Sequence, residues 1–391
     1  MTEEFREGSD LTVENGFADN YVEYRMNCKR NFGAEDITIL DDRLAFISTG
    51  LKYPGMTRYT DGPGKIYVLN LPSIADPTEL QIKGDFDAAS FGPHGISIYT
   101  DEKDGSRYLF VVNHPHENSQ IEIFQYIEEE NTLLHLKTIK HKLLHNVNDI
   151  VAVGVENFFA TNDHYFTNEP LKLLEALFSL HWCNVVYYSP EVVQVVAGGF
   201  FGANGVNMSP DKKHLYVSDL MNHRIVVLNI QKDNTLSRVK EVDVGSLCDN
   251  IEVERKTGDL WMGCHPNGGK VFLNDLNDPP GSEVIRIQHI HTEEPVVTLL
   301  CVNDYETLST TGVILALIMF ITGILIALNP VLWNGFSLPK QKYLLSQYRD
   351  GDTEHLCFQN EPRNTRRAEL HEIRIILLES FNRIVHTNRY N

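Results

Sequence analysis

The strongest constraint on the fold is a polar pair that precedes a strand-like run five times along the chain. The pairs are Glu35-Asp36, His94-Gly95, Asn148-Asp149, Asn204-Gly205 and Asp249-Asn250. Their first residues lie 59, 54, 56 and 45 positions apart. This spacing is the period of a four-stranded blade rather than of a helical repeat. The pattern therefore predicts an all-β chain folded as a β-propeller.

The place of the pairs within each repeat predicts a shared site. The first strand of a propeller blade runs along the central channel, so the residues that lead these strands converge on one small volume. The leading oxygen-bearing side chains are those of Glu35, Asn148, Asn204, Asp249 and Asn250. Mixed carboxylate and amide oxygens suit Ca²⁺, whereas zinc or copper would need several His or Cys ligands. We therefore expect a calcium cage on the channel axis.

Histidines form a second group beside this cage. His94 opens a repeat, and the second halves of the repeats contribute His114, Asp163-His164 and His265. An imidazole with an ordinary pKa near 6.5 can take a proton from water at neutral pH. A histidine taken at random among the 16 in the chain is more often structural. His94 is the preferred candidate for the base because it leads a repeat.

Composition limits the class of partner. The chain has 391 residues, of which 42% are hydrophobic and 22% charged, so it can bury a large core. Its net charge of −19 argues against a nucleic-acid partner, which would require a basic surface. The simplest reason for the acidity is solubility, with a local contribution from cation binding. The six cysteines show no CxxC spacing, and two or three of them could pair in an oxidising compartment.

One segment departs from the strand pattern. Residues 168–182 carry leucines at helical spacing behind Pro170, which predicts an amphipathic helix of about 12 residues. It interrupts the third repeat just after Asn162-Asp163-His164. Two placements remain open, over one mouth of the channel or on the outer rim.

Several motifs occur in an order that is characteristic of a known family. They include GAEDITIL, FGPHGIS, VVNHP, TNDHYF, ANGVNMSPD, CDNIEV and MGCHPNG. In these stretches the chain resembles the paraoxonase/arylesterase family of calcium-dependent lactonases, from about Cys28 to Val297. The resemblance implies a six-bladed propeller that hydrolyses lactones and aryl esters. It also implies two Ca²⁺ ions in the channel, one catalytic and one structural.

The resemblance also implies roles for individual residues. The catalytic ion would be held by Glu35, Asn148, Asn204, Asp249 and Asn250. The structural ion would be held by Asp36, Asp149 and the backbone carbonyl of Ile96. His94 and His114 look like the histidine dyad of the family, with His114 orienting His94. The substrate pocket would be lined by Tyr53, Asn146, Asp163, His164 and His265. Cys264 resembles a free thiol of the pocket, and a buried structural cysteine is the alternative.

The C-terminal part departs from the family. The spacing predicts a sixth repeat that begins between about residues 294 and 308, but residues 307–339 contain no charged side chain. We therefore expect a chain of six-bladed type with five recognisable blades plus an apolar C-terminal segment, and open strand edges in blades one and five. The expected divisions are a polar tail at 1–27, a propeller at 28–299, an apolar segment at 307–333 and a polar tail at 334–391.

The apolar segment has three interpretations. With its flanks it reaches membrane-spanning length, and the lysines and arginine that follow it would place the propeller outside the cell. It could also be a spliced or wrongly assembled end, or a hydrophobic buried blade. Residues 1–27 lack the basic start and apolar run of a secretory signal. The family resemblance implies an extracellular or membrane-associated protein, with membrane or lipoprotein association.

Two functions from different classes follow. The first is a calcium-dependent hydrolase of small lactone and aryl ester substrates. The second is a catalytically weak calcium-binding propeller scaffold, truncated or membrane-anchored. Ester hydrolysis that disappears when a chelator is added would distinguish the first from the second.

Overall fold

A computed structural model describes residues 34–41, 43–51, 62–71, 77–273 and 281–303 of the chain. The predicted tail at 1–27, the apolar segment at 307–333, the polar tail at 334–391 and the predicted pocket residue Tyr53 lie outside these residues. In the part that is described, no helix is long and apolar enough to cross a membrane.

The described residues form five mainly antiparallel sheets that follow one another along the chain. Blade one consists of β1 (Ala34–Leu40), β2 (Leu44–Thr49), β3 (Lys65–Asn70) and β4 (Thr78–Glu79). Blade two consists of β5 (Gln81–Lys83), β6 (Pro93–Thr100), β7 (Arg107–Asn113), β8 (Gln120–Ile127) and β9 (Thr132–Ile139). In blade two, β5 adds a short parallel strand outside β9.

The remaining blades repeat the same plan. Blade three consists of β10 (Val147–Ala152), β11 (Phe158–Asn162), helix α1 (Glu169–Leu177), β12 (Cys183–Tyr188) and β13 (Val193–Phe200). Blade four consists of β14 (Ala203–Met208), β15 (His214–Asp219), β16 (Arg224–Ile230) and β17 (Leu236–Asp243). Blade five consists of β18 (Leu247–Val253), β19 (Leu260–His265), helix α2 (Gly268–Leu273), β20 (Ser282–Gln288) and β21 (Val296–Asn303).

The five inner strands β1, β6, β10, β14 and β18 each begin at or next to one of the polar pairs, and neighbouring inner strands contact each other. The sequence therefore identified the inner strands correctly. Because the strands in each blade alternate in direction, the residues that end the second strands lie at the same end of the channel as the pairs. This arrangement positions the candidate site.

Hydrophobic clusters fill the interfaces between blades. Four of them join blades one and two, two and three, three and four, and four and five. A fifth joins blade one to blade five, because Ile37 of β1 packs in one buried cluster with Trp261 of β19 and Val284 of β20. Burying each large apolar side chain contributes about 1.5 to 3 kcal/mol, so these clusters are the main interactions that hold the blades together.

The ring therefore closes with five blades in the described residues, which confirms the expected number of blades and corrects the expectation of open edges. Residues 296–303, where the spacing predicted the start of a sixth repeat, form β21, the outer strand of blade five. The connection between β19 and β20 contains α2 and makes blade five longer in sequence. For this reason the blade still includes residues 296–303, where the spacing predicted the next repeat. Blades one and five pack on each other instead of leaving open edges between them. The contact of β1 with β18 is nevertheless looser than that of the other neighbouring inner strands.

Candidate active site

The polar pairs converge at one end of the channel. The Nε2 atom of His94 lies 3.0 Å from Oε1 of Glu35, across the interface of blades one and two. The Nδ2 atom of Asn250 donates to the backbone oxygen of Glu35 at 2.7 Å, across the interface of blades five and one. Asn148 approaches the carboxylate of Asp163 with Nδ2 at 3.4 Å from Oδ2. These contacts connect residues that are far apart in sequence into one polar cluster.

Asp36 and Asp149 have equivalent positions in blades one and three. In each residue Oδ1 accepts from the next amide of its own strand, at 2.7 Å in both cases. The Oδ2 atom of Asp36 accepts from the amide of Ile96 in blade two, and Oδ2 of Asp149 accepts from Val206 in blade four, also at 2.7 Å. Each carboxylate therefore links its blade to the following one. The amide of Ile96 makes this contact, whereas the sequence prediction concerned its carbonyl.

Two glycines make this close approach of strands possible. A Cβ atom on Gly95 would lie 2.4 Å from Oδ1 of Asp149, and one on Gly205 would lie 2.4 Å from the backbone oxygen of Asp249. Contacts this short exclude any side chain there, because the opposing atoms belong to a neighbouring inner strand. Gly95 and Gly205 thus leave room for the polar pairs of the adjacent blades, Asn148-Asp149 and Asp249-Asn250.

Buried hydroxyl groups position the leading residues, and their role was not predicted from the sequence. Ser48 of β2 donates to the backbone oxygen of His94, and Thr161 of β11 donates to that of Asn204, each at 2.7 Å. Ser218 of β15 makes the same kind of bond to Cys248. A hydroxyl residue at or near the end of the second strand in three repeats was the available signal.

His94, which is buried, and His114, which is partly exposed, form a pair. The Nδ1 atom of His94 lies 3.1 Å from Nε2 of His114. Burial disfavours a charge on His94, but the adjacent carboxylate of Glu35 outweighs it, and the pKa of His94 is raised. Burial and the nearby His94 lower the pKa of His114 to about 3. At neutral pH His114 is therefore uncharged, and His94 is the member of the pair that takes up a proton.

Buried carboxylates and amides lie next to the histidine pair. Burial raises the pKa of Asp149 to about 7, and burial together with the nearby Asp149 raises that of Asp36. Asp249 is close enough to affect the titration of both His94 and Asp149. The Oδ1 atoms of Asn148 and Asn204 are buried and have no hydrogen-bond partner. A buried amide oxygen without a partner costs free energy, so these two oxygens are suited to a ligand.

The oxygen atoms of this cluster are candidate ligands of a metal ion. Among the described residues, no group of three or more His, Cys, Asp or Glu side chains is arranged to hold a metal. The predicted site depends on amide and carbonyl oxygens as well as on carboxylates, which is the donor set of Ca²⁺. The two unpartnered amide oxygens fit such an ion. Buried acidic groups with raised pKa values fit it as well, since a bound cation would favour their charged forms.

The predicted pocket residues surround this cluster to different degrees. Asp163 affects the titration of both His94 and His114, which places it beside the pair. Asn146 donates through Nδ2 to the backbone oxygens of His164 and Phe166, at 3.1 and 2.8 Å. His265 ends β19 and is buried, with Nδ1 3.4 Å from the backbone oxygen of Gly281. Asn146 therefore shapes the loop that carries Asp163 and His164.

Helix α1 follows that loop. It spans nine residues, somewhat fewer than predicted, and Pro170 lies in its first turn. Lys172 is close enough to His114 to contribute to the lowering of its pKa. Lys172 thus brings the start of the helix near the histidine pair, while the choice between the mouth and the rim stays a prediction. The exposed apolar side chains of this region are Leu171, Leu173, Leu174, Leu177, Phe178 and Trp182.

A disulfide joins Cys248 to Cys264, directly before the Asp249-Asn250 pair. The two cysteines lie opposite each other on β18 and β19. Cys264 is therefore a buried structural residue rather than a free thiol of the pocket. Cys183 is free and buried, and burial raises the pKa of its thiol to about 12.

A cavity of about 480 Å³ occupies the other half of the channel. Its lining includes Asp36 and Asp149 but not Glu35, His94 or Asn148. Its rim carries two ion pairs between inner-strand ends, Lys212 with Glu102 at 3.3 Å and Arg255 with Asp41 at 3.0 Å. Asp36 and Asp149 thus lie between this cavity and the histidine pair.

Comparison with known proteins identifies close relatives. The family described as Arylesterase matches residues 26–327. Serum paraoxonase/arylesterase 1 of Homo sapiens is 55% identical over 270 residues, which is 68% of this chain and 76% of that protein. Serum paraoxonase/arylesterase 2 of Gallus gallus is 50% identical over 72% of this chain and 80% of its own length. Serum paraoxonase/lactonase 3 of Oryctolagus cuniculus is 48% identical over the same shares.

The fold, the polar cluster and these relatives define a class of protein, a β-propeller enzyme that hydrolyses esters and lactones. Small molecules are the substrates of this class. The chain belongs to the paraoxonase/arylesterase family, which confirms the resemblance seen in its motifs.

Proposed function

We propose that the chain is a calcium-dependent hydrolase of lactones and aryl esters whose reaction takes place at the His94 end of the channel. One observation carries the proposal. His94 lies between Glu35 and His114, within a buried cluster that contains two amide oxygens without partners. This arrangement combines a group able to take a proton with oxygens suited to a hard cation.

The residues that would hold the cations follow from the donor set. A catalytic Ca²⁺ would be held by Glu35, Asn148, Asn204, Asp249 and Asn250. A structural Ca²⁺ would be held by Asp36, Asp149 and the carbonyl of Ile96. When bound, the first ion supplies Lewis-acid polarisation of the ester carbonyl. The neutral amides matter because a cage of carboxylates alone would cancel the charge of the ion.

The histidine pair manages the proton. In the neutral form of His94 we assign the hydrogen to Nδ1, from which it is donated to Nε2 of His114 at 3.1 Å. The 3.0 Å contact of Nε2 with Oε1 of Glu35 describes the charged form, in which Nε2 donates to the carboxylate. His94 then takes the proton of the attacking water at Nε2, where the nearby Glu35 oxygen at 3.0 Å favours the charged form. His114 remains neutral because of its low pKa, so it can accept the hydrogen bond of a charged His94. Its role is to orient His94 and share the developing charge.

The substrate would lie against the loop that begins at Asp163. Asp163, His164, Asn146 and His265 are the proposed pocket residues in the described part of the chain, and Tyr53 is proposed from the family motif alone. Asp163 borders both the histidine pair and the amide of Asn148. The loop therefore connects the position of the acyl group to the position of the base.

We also propose that the protein works outside the cell at a lipid or lipoprotein surface. The exposed apolar side chains of α1 and Trp182 support this placement. The disulfide is consistent with an oxidising compartment. Sedimentation with phosphatidylcholine vesicles tests the proposal. Binding should weaken in a Leu173→Gln/Leu177→Gln variant, and equal binding by this variant and the unchanged protein would contradict it.

Hydrolysis of phenyl acetate and of a medium-chain lactone tests the proposed function. Both activities should disappear when EDTA is added and return with added Ca²⁺. Binding of Ca²⁺, followed by calorimetry, without turnover of either substrate would support the scaffold alternative. Turnover that is insensitive to chelation would exclude the calcium-dependent mechanism.

A further inference from the structure

We propose that Glu175 is a positioning residue for the substrate pocket, an inference that rests on the proposed function. Glu175 is the only buried residue of helix α1, with 1% of its surface exposed. The leucines of the same helix are exposed, at 60% for Leu173 and 68% for Leu177. An amphipathic helix normally buries its apolar side. Here a carboxylate faces the interior, so the helix is anchored by hydrogen bonds instead of by an apolar face.

The carboxylate of Glu175 is surrounded by donors from the pocket loop. Both of its oxygens lie 3.1 Å from the amide nitrogen of Tyr165, and Oε2 lies 3.3 Å from that of Phe166. The Sγ atom of Cys183 lies 3.4 Å from Oε1. The Nδ1 atom of His164 lies 3.9 Å from Oε1. Hydrogen bonds to an ionised acceptor are stronger than neutral ones, so the loop is held firmly at this point.

Other contacts hold the same loop on its remaining sides. The thiol of Cys183 also approaches the backbone oxygen of Asp163 at 2.9 Å. Asn146 donates to the backbone oxygens of His164 and Phe166. Glu175 supplies the acceptor for the amides of this loop, while Asn146 and Cys183 supply donors for its carbonyls. The three residues together determine where Asp163 and His164 lie relative to His94.

The chemistry of the contact requires a carboxylate. An ionised carboxylate has only acceptors, whereas a glutamine replaces one oxygen with an NH₂ donor. In Glu175→Gln that donor would face the amides of Tyr165 and Phe166 or the thiol of Cys183. In either orientation the negative charge that strengthens the hydrogen bonds to these amides would be lost. Because a displacement of about 1 Å at a distance from the chemistry can greatly reduce catalysis, this loss should reach the substrate.

The test compares Glu175→Gln with the matched control Glu169→Gln on the same helix. Glu169 is exposed and pairs with Lys172 at 2.9 Å. Amide hydrogen exchange at Tyr165 and Phe166, measured without substrate, should accelerate about tenfold in Glu175→Gln and remain unchanged in the control. The value of kcat/KM for a bulky lactone should fall about tenfold, mainly through KM, at unchanged Ca²⁺ affinity.

Faster exchange with an unchanged KM would show that Glu175 is merely structural and would overturn the proposal, as would equal effects of both variants. If Glu175→Gln does not fold, Glu175→Asp keeps the charge on a shorter side chain. This variant should also accelerate amide exchange and raise KM, but by smaller factors. The exchange measurement does not depend on hydrolysis. If the protein without substitutions hydrolyses neither esters nor lactones, the proposed function alone is overturned. The anchoring role of Glu175 would still be decided by the hydrogen-exchange measurement.

Discussion

His94 and His114 are joined nitrogen to nitrogen at 3.1 Å, and the two imidazoles have opposite pKa shifts. The difference arises from their neighbours. Glu35 faces His94, whereas the nearest titratable neighbour that affects His114 is His94 itself. Adjacent titratable groups with pKa values moved in opposite directions are typical of acid and base assignments in enzymes. The pair therefore gives a direct starting point for mutagenesis.

Replacement of His94 tests the proposed base. His94→Gln should lower kcat for phenyl acetate by about 100-fold or more, because general-base catalysis contributes on the order of 10² to 10⁴. Calcium affinity, measured by chelator competition, should remain the same. His223→Asn is a suitable control, since His223 is exposed and has a positive φ of 54° that asparagine tolerates. Unchanged turnover in His94→Gln would remove His94 from the mechanism.

His114 should make the protein sensitive to acid. Its pKa of about 3 in the folded state is below the ordinary value, so the unfolded chain binds the proton first. The stabilising contribution is complete above pH 6.5 and is lost as the pH falls from 6.5 toward 3. His114→Gln should therefore lose stability less steeply than the unchanged protein, by up to about 1.4 kcal/mol per pH unit.

Urea unfolding in EDTA between pH 8 and 5 measures this difference. The raised pKa of His94 gives a slope of the opposite sign, but His94 is present in both proteins, so the comparison reduces its effect. Parallel dependence on pH in the two proteins would contradict the assignment of a neutral His114.

Asn204 tests the cation site through stability. Asn204→Asp places an additional carboxylate where Asn204 now has a buried Oδ1 without a partner. Without calcium this buried charge should lower the melting temperature, and with calcium the stabilisation should exceed that of the unchanged protein. The kcat should fall, because the added charge offsets that of the ion. Asn229→Asp on β16 is the control, since Asn229 is partly exposed. Equal calcium responses in all three proteins would place the ion elsewhere.

Trp261 tests the closure of the ring. It is 1% exposed in the cluster that joins blade five to blade one, and the guanidinium of Arg286 lies over its ring at 5.0 Å. Trp261→Ala should destabilise the protein by about 3 to 5 kcal/mol, as for other buried aromatic residues. Trp182→Ala removes a residue that is 48% exposed and should cost about 1 kcal/mol or less. Urea unfolding distinguishes the two, and similar losses would contradict a closing role for Trp261.

The sequence predicted the inner strands well because their signal is local. A polar pair such as Asn148-Asp149 followed by a strand needs no knowledge of distant residues, and it identified the start of each blade correctly. The number of blades that close the ring depended on a buried cluster that contains both Ile37 and Trp261, which are distant in sequence. No local pattern indicates such a contact. The expectation of a gap was therefore wrong even though five blades were recognised.

In the candidate site, too, residues with a local sequence signal were predicted and residues without one were not. His94, Glu35 and Asp163 were identified from their positions in the repeats, and the structure brings them together. Their proposed roles remain predictions. The supporting hydroxyls of Ser48 and Thr161 were missed because a serine or threonine in a buried strand has no distinctive pattern. The burial of Glu175 was also missed, since helical periodicity assigns the interior to the leucines of α1 and not to an acid.

Each blade in the described part of the chain is continuous in sequence, and none of them combines strands from both ends of the described chain. The pairing of strands within each blade therefore does not depend on the order in which the blades follow one another along the chain. A gene rearranged so that the protein starts at Ala203 and runs through blade five before blade one would preserve every strand pairing. Circularly permuted variants of this kind would allow reporter groups to be introduced at the channel mouth without cutting a sheet.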